Sequence, residues 1–425
     1  MSLRTIARKA KHILLGRPLR NDQMGHEKLS VLWGLPIMAS DAVSSVAYAI
    51  EEVLLVLVPV LAAAAYFQSL LVVIPIFVLL GVLIFSYTQM IKKYPGGGGA
   101  YSVTQENISR GTSLLAASTL VVAYILTVTV SVSSASQALI SAFPALDNFV
   151  LPICLGGIAL LTLLNLRGVG ESAKIFGVPT YLFVVMIVLL LGVGFVRLLT
   201  GGITPIVHGE AAVNPSKALE GAGAALLFLF LRAFSSGCSA LTGVEAVSNA
   251  VPLFREPSRR TATRVLLLLG GIILLVFGGT AVLSSLLKPV LLDPEAKGYE
   301  TVLSQLGHRV FGGLGLPGDI FYYALQGFTV LILLLAANTA YSGLPQLLAI
   351  LARDSYMPRQ FAHRGAKLSF SNGILFIGLA AGALVVLFKA DTHRMIPLYA
   401  AGVFITFTLS QIGMFVLWRR SHEKG

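Results

Sequence analysis

Two carboxylates lie among small and polar residues within otherwise apolar stretches of the chain. Asp41 belongs to the run SDAVSS, and Tyr48 follows it two turns later. Glu245 follows the run SSGCS, together with Thr242. An ionisable side chain at membrane depth is costly, so each is a functional candidate. Carboxylate and hydroxyl oxygens are hard donors, and they suit a dehydrated alkali cation.

A second set of hydroxyl groups forms a stripe on one predicted helix. Tyr124, Thr127, Ser131 and Ser134 recur at three- and four-residue spacing, which places them on one helix face. Such a stripe must face protein or water, and helix packing and ligand contact both explain it. The same two interpretations apply to Tyr399 in a later apolar stretch.

The elements that carry these residues are membrane-spanning helices. The 425 residues are 56% hydrophobic and only 12% charged, with a mean hydropathy of +0.84. Soluble chains carry roughly 25% charged residues. The stretches 175–196 and 265–287 contain no charged residue, and each is long enough to cross a bilayer. The first 30 residues are basic and do not resemble a cleavable signal.

The hydropathy pattern predicts an all-α polytopic membrane protein with ten spans. They are placed at 31–60, 66–91, 112–142, 149–166, 172–196, 220–251, 261–287, 319–350, 370–388 and 395–418. Polar runs in the middle of the first and sixth spans predict that both helices are discontinuous, at corresponding positions of two five-span halves. This is typical of an inverted-repeat secondary transporter with its site at the midplane.

The basic residues predict the orientation. Most of the 31 Lys and Arg residues fall on one side if the spans alternate, so the N- and C-termini are expected to be cytoplasmic. The predicted organisation is a basic cytoplasmic segment (1–30), a first repeat (31–199), a second repeat (220–418) and a cytoplasmic tail (419–425). The net charge of +12 is thus a topology signal, and no nucleic-acid partner is expected.

The residue types favour a cation over an amino acid as the substrate. A carboxylate in the first interruption would repel an anionic group and attract a cation. If the two interruptions face each other, Asp41 and Glu245 form a pair in which one holds a metal ion while the other carries a proton. Glu51 and Glu52, near the outer end of the first span, are expected to be solvated.

Other classes of site are not indicated. The two cysteines lie within predicted spans, so neither a disulfide nor a thiolate metal site is expected. No nucleophile–base pattern or metal-ligand cluster is visible, which argues against an enzyme and a bound cofactor. The glycine run 96–99 is interpreted as a flexible cytoplasmic turn, with a gating element as the alternative.

Several stretches resemble the KimA group of high-affinity potassium–proton symporters, within the amino acid–polyamine–organocation superfamily that shares the LeuT-type fold. They are SDAVSSVAY (40–48), YPGGGGAY (94–101), FSSGCSALTGVE (234–245), ARDSYMP (352–358) and IPLY (396–399). The resemblance runs from about residue 10 to the end. It implies a LeuT-type 5+5 inverted-repeat core, potassium as the transported substrate, the proton as the coupling ion, and a bacterial plasma membrane location.

The resemblance also implies a ligand set and a set of departures from the family. The potassium ligands would be Asp41, Tyr48, Thr127, Ser131, Thr242, Glu245 and Tyr399, with Asp41 and Glu245 as proton-coupling candidates. The family usually has acidic residues where this chain has Ala123 and Gln137, and a proline at Thr406. Family members continue through two further spans and a cytoplasmic domain that supports a dimer, and this chain ends before them. A homodimer of this chain is possible, but it would have to form without that domain.

Two alternatives to potassium import remain open. One is an amino-acid or organic-cation permease of the same superfamily, which the missing acid at Ala123 favours. The other is a truncated relative that does not transport, for which the missing last two spans are the support. In each case the partners expected are the lipid bilayer and a potassium ion or small cationic substrate.

Overall fold

A computed structural model describes residues 28–97, 99–167, 173–206, 223–292, 298–363 and 370–422 of the chain. The α-helices are α1 (Val31–Leu61), α2 (Ala64–Lys93), α3 (Ala100–Asn107), α4 (Arg110–Ala142), α5 (Val150–Leu166), α6 (Ala173–Leu199), α7 (Gly223–Gly237), α8 (Ala246–Asn249), α9 (Ser258–Leu287), α10 (Val302–Phe311), α11 (Leu316–Arg353), α12 (Ser371–Leu387) and α13 (Thr392–His422). The predicted segment 1–30 lies almost wholly outside the described residues.

Nine helical segments in the described part of the chain are long and apolar enough to cross a membrane, and α12, with 17 residues, is a shorter apolar helix. The ten segments match the ten predicted spans. Large apolar side chains such as Phe67, Phe85 and Phe228 are exposed on their outer faces. A water-soluble protein rarely exposes such extensive apolar surface. The fold is therefore that of a polytopic helical membrane protein.

The spans form two packed groups that each draw on both halves of the chain. The first, second, sixth and seventh spans pack against one another around one large buried cluster, which the fifth span joins. The third, fourth, eighth and ninth spans enclose a second cluster that contains Cys154 and Tyr341. Each group thus takes corresponding spans from the two five-span halves, as an inverted-repeat transporter core requires.

The first span is one uninterrupted helix, so the predicted discontinuity there is wrong. Helix α1 runs through all 31 residues from Val31 to Leu61. Its serine hydroxyls bond to carbonyls of their own helix: Ser40 to Ile37, and both Ser44 and Ser45 to the carbonyl of Asp41. Because the helix satisfies these groups itself, the polar run does not require the backbone to unwind.

The sixth span is interrupted, as predicted. Helix α7 ends at Gly237 and continues as the 3-10 segment Cys238–Leu241. Thr242 is then extended, and Gly243 has a φ of +78° before α8 begins at Ala246. Unwound backbone at this depth is tolerated because the surrounding helices bury it.

The structure also describes parts of two further predicted segments, the C-terminal tail and the glycine run. Helix α13 continues to His422, so the predicted tail 419–425 begins inside a helix. The glycine run packs on the end of the sixth span: a side chain at Gly97, where φ is +87°, would lie 2.7 Å from the carbonyl oxygen of Asn249. The turn is therefore held against the segment that follows the interruption.

Candidate functional site

The interrupted part of the sixth span lies directly on Asp41. A Cβ atom at Gly243 would lie 2.9 Å from the Cβ and Oδ2 atoms of Asp41 and from the backbone nitrogen of Ala42. The positive φ and the missing side chain both favour glycine there. Glycine thus allows the irregular segment to approach the carboxylate in the middle of the membrane.

A line of hydroxyl groups joins the first span to the interruption. The Tyr48 hydroxyl donates to Ser45 Oγ at 3.0 Å, and Ser45 Oγ lies 3.0 Å from Thr242 Oγ1. Thr242 Oγ1 in turn donates to the carbonyl of Ser239 at 2.8 Å. Ser45 connects the two spans, and residue type alone did not single it out. Its position three residues before Tyr48 and four after Asp41 was the available signal.

The third and tenth spans close the site on the other side. Thr127 Oγ1 lies 3.1 Å from the Tyr399 hydroxyl, and Tyr399 also contacts Thr242. Both residues are at least 96% buried. Four helical elements that are far apart in sequence therefore bring their oxygens to one place.

The second carboxylate lies next to this cluster. Glu245 is half-buried and lies within electrostatic reach of Asp41. The buried Tyr87 and the half-buried Tyr124 also face Glu245 closely enough to interact with it. The predicted proximity of the two carboxylates is thus present, although it arises from one interrupted span and one continuous helix.

The remaining stripe residues of α4 lie along the same face. Ser131 is buried one turn beyond Thr127, and no hydrogen bond joins it to the described cluster. Ser134 lines a separate small cavity and its hydroxyl has no partner among the described residues. Tyr124 packs on Gly343 of α11, where a Cβ atom would lie 2.7 Å from its ring. The structure therefore assigns packing to part of the stripe and places Thr127 at the cluster.

The three departures from the family pattern have clear locations. Ala123 packs with Tyr48 and Tyr399 in a small apolar cluster beside the hydroxyl groups. Thr406 Oγ1 lies 2.9 Å from Thr119 Oγ1, a contact that joins α13 to α4. The Gln137 side-chain oxygen accepts a hydrogen bond from Thr392 at 3.2 Å. The site of this chain therefore has an apolar wall at Ala123, where the family usually has an acid.

Glu51 and Glu52 are not solvated, which corrects the prediction from their position. Each is only 3% exposed. Glu51 accepts hydrogen bonds from Tyr299 and from the backbone of Val302, and Glu52 contacts His393. Their burial depends on partners from distant parts of the chain, which no local pattern reveals.

The cluster has the composition of a site for a dehydrated cation. Asp41 and Glu245 supply negative charge, and Tyr48, Thr127, Thr242 and Tyr399 supply neutral oxygens in a mostly buried place. Neutral and anionic oxygens replace the hydration shell of an alkali ion. Among the described residues, no group of three or more His, Cys, Asp or Glu side chains is arranged to hold a metal ion.

Comparison with known proteins gives one family and two kinds of relative. The family model described as "Amino acid permease" matches residues 32–425. The "Potassium transporter KimA" of Bacillus subtilis (strain 168) is 46% identical over 415 residues, which cover 98% of this chain and 66% of that protein. The "Low-affinity putrescine importer PlaP" of Escherichia coli (strain K12) is 23% identical over 287 residues, 65% of this chain and 57% of that protein. The matched part of the chain thus spans less than two thirds of the length of each of these relatives.

Proposed function

The chain belongs to the amino acid permease family, and we propose that it is a secondary transporter that imports potassium ions. The coupling ion is the proton. The excess of basic residues in alternate loops supports cytoplasmic N- and C-termini, and the proposed location is the bacterial plasma membrane. In this proposal potassium is the cargo and not a resident cofactor, and transport involves no enzymatic reaction.

One observation carries this proposal: Asp41 lies against the interruption of the sixth span, with hydroxyl oxygens from the first, third, sixth and tenth spans around it. A fixed carboxylate at this place favours a cation, and hydroxyl oxygens suit an alkali cation better than a large organic one. The potassium transporter at 46% identity supports the same cargo. We propose Asp41, Tyr48, Thr127, Ser131, Thr242, Glu245 and Tyr399 as the residues that bind potassium.

The proton is assigned to the carboxylate pair. Two carboxylates within electrostatic reach of each other cannot both remain ionised without cost in a buried site. A cation bound at Asp41 favours the ionised form of that group, while Glu245 takes or releases the proton. Potassium at Asp41 and a proton at Glu245 together neutralise the two negative charges of the buried pair, so the two ions are carried together and their movement is coupled.

A small organic cation is the second candidate substrate. Its support is the apolar wall at Ala123, which offers contact for methylene groups beside the carboxylates. The putrescine importer among the relatives is a distant example of such cargo. An organic cation would use the same Asp41 carboxylate as potassium. It would differ from potassium in placing methylene groups against the apolar wall at Ala123.

Uptake into proteoliposomes tests both candidates. The purified protein is expected to take up rubidium, as a tracer for potassium, under an inward proton gradient, and excess putrescine is expected to leave that uptake unchanged. Asp41→Asn and Glu245→Gln should reduce uptake at least tenfold. Asp319→Asn is the matched control because Asp319 is exposed at the start of α11, away from the site. Rubidium uptake that Asp41→Asn leaves intact would reject the proposed site, and inhibition by putrescine would favour the organic cation.

A further inference from the structure

A second cluster of charged and polar groups lies beyond Tyr48, toward the end of α1 opposite the basic loops. Glu51 and Glu52 are adjacent in sequence but bond to different elements. Glu51 Oε1 accepts from the Tyr299 hydroxyl at 2.5 Å, and Glu51 Oε2 accepts from the Val302 backbone at 3.1 Å. Glu51 thereby holds the segment that enters α10 against the first span.

Glu52 bonds to the first turn of the tenth span. Its Oε1 atom contacts Nδ1 of His393. The start of α13 is fixed in turn by Asp391, whose Oδ1 accepts from the backbone nitrogen of His393 at 3.0 Å and whose Oδ2 pairs with Arg394 at 2.8 Å. The histidine is therefore presented to Glu52 by a helix end that is itself capped.

The two bonds close a small cavity over the candidate cation site. Tyr48, Glu51, Ser134, Gln137, Tyr299, Thr392 and His393 are among the residues that line it. The cavity measures about 10 Å³, which leaves room for roughly one water molecule. A hydrated potassium ion does not fit through it. The contacts between α1, α13 and the segment at Tyr299 thus seal this side of the site.

The same contacts also position residues of the cation cluster. Tyr48 and Glu52 are four residues apart, so they lie on one face of α1. Tyr399 lies six residues after His393, about 9 Å farther along α13. A bond between Glu52 and His393 therefore fixes the distance between the two helices that present Tyr48 and Tyr399. Burial raises the pKa of the Tyr299 hydroxyl well above its usual range, so Tyr299 remains a donor to Glu51.

We propose that the Glu52–His393 and Glu51–Tyr299 contacts form the outer gate of the transport path, and that they must separate before a cation enters from outside. His393 and Glu52 are positioning residues, which act through Tyr48 and Tyr399. The proposal rests on the proposed transport function, but its first test does not require transport. The gate, rather than the cation site, controls access from the side opposite the basic loops.

The test measures access to the sealed cavity. A cysteine replaces Thr329, which lines the cavity and is 2% exposed, in a background without the two native cysteines. Right-side-out vesicles are treated with a membrane-impermeant thiol reagent. His393→Ala is expected to speed labelling at least tenfold, because it removes the bond to Glu52. His393→Asn is expected to restore much of the slow rate, since its amide nitrogen takes the place of Nδ1.

A matched control is a His–Glu pair elsewhere on the same side. His308 Nδ1 lies 2.7 Å from Glu300, and the His308 side chain is 55% exposed. Since His308 does not line the cavity, His308→Ala should leave the labelling rate unchanged. Glu52→Gln is the second gate variant if His393→Ala fails to fold, with a smaller increase expected because the amide oxygen still accepts a hydrogen bond.

Labelling and rubidium uptake separate the two proposals. Faster labelling in the gate variants, with no uptake by any protein including the parent, would uphold the gate and reject potassium transport. Uptake by the parent with equal labelling rates in the parent, His393→Ala and Glu52→Gln would reject the gate and leave transport standing. Equal acceleration by His308→Ala would also overturn the gate, because the effect would then be general loosening.

Discussion

Replacement of Gly243 by alanine tests the contact on which the candidate site depends. A Cβ atom there would lie 2.9 Å from Asp41 and from the backbone of Ala42, and φ is +78°. The left-handed backbone costs an L-residue about 1–2 kcal/mol. Overpacking against backbone that cannot move freely costs about 1–3 kcal/mol more. We therefore expect Gly243→Ala to lose about 2–5 kcal/mol of stability and to displace the segment from the carboxylate.

The assay combines thermal unfolding of the purified protein in detergent with rubidium uptake in proteoliposomes. Gly271→Ala is the neutral control, because nothing lies within 4 Å of its new Cβ and alanine favours the helix by about 1 kcal/mol. Gly237→Ala is the stability control. It meets only the side-chain ends of Val53 and Ile76, so it should lower stability and retain the site.

If the substitution displaces the segment from Asp41, Gly243→Ala should lose more uptake than its loss of stability explains, whereas Gly237→Ala should not. The reasoning is refuted if Gly243→Ala unfolds at the parent temperature and transports at the parent rate. It is also refuted if both variants lose uptake in proportion to stability, because contact with Asp41 would then have no separate consequence.

Two further changes follow from individual hydrogen bonds. Tyr48→Phe removes the donor to Ser45 and should weaken the apparent potassium affinity in uptake assays about two- to tenfold, since a net hydrogen bond contributes about 0.5–1.5 kcal/mol; an unchanged affinity would exclude this bond from the site. Tyr101→Phe removes a 2.6 Å bond to Asp354 and should cost about 1 kcal/mol of stability near neutral pH. Burial and the Asp354 carboxylate raise the pKa of Tyr101 above its usual range. This contribution is therefore complete below about pH 10, where tyrosine in the unfolded chain ionises, and declines as the pH rises further. Thermal unfolding between pH 7 and pH 11 should show the decline in the parent and a flatter curve in the variant; equal slopes would contradict it.

The candidate site was predictable in composition but not in construction. Residue type and depth singled out Asp41 and Glu245, and the structure brings them within electrostatic reach. The predicted reason, two facing interruptions, is only half right because α1 is continuous. A polar run unwinds a helix only when its groups find better partners outside that helix. The hydroxyls of Ser44 and Ser45 bond to the carbonyl of their own helix instead.

The class of protein, the ten spans and the position of the polar groups within them could all be predicted from the amino-acid sequence. These features depend on the length and composition of local apolar stretches, because the thickness of the bilayer sets the length that a spanning helix needs. Packing between distant helices was needed to show which span is interrupted, that Ser45 lies next to Thr242, and that Glu51 and Glu52 are buried. The partners of those two carboxylates lie 248 and 341 residues away, at Tyr299 and His393. Burial of a charge depends on such distant partners, so the pattern around each carboxylate could not reveal it.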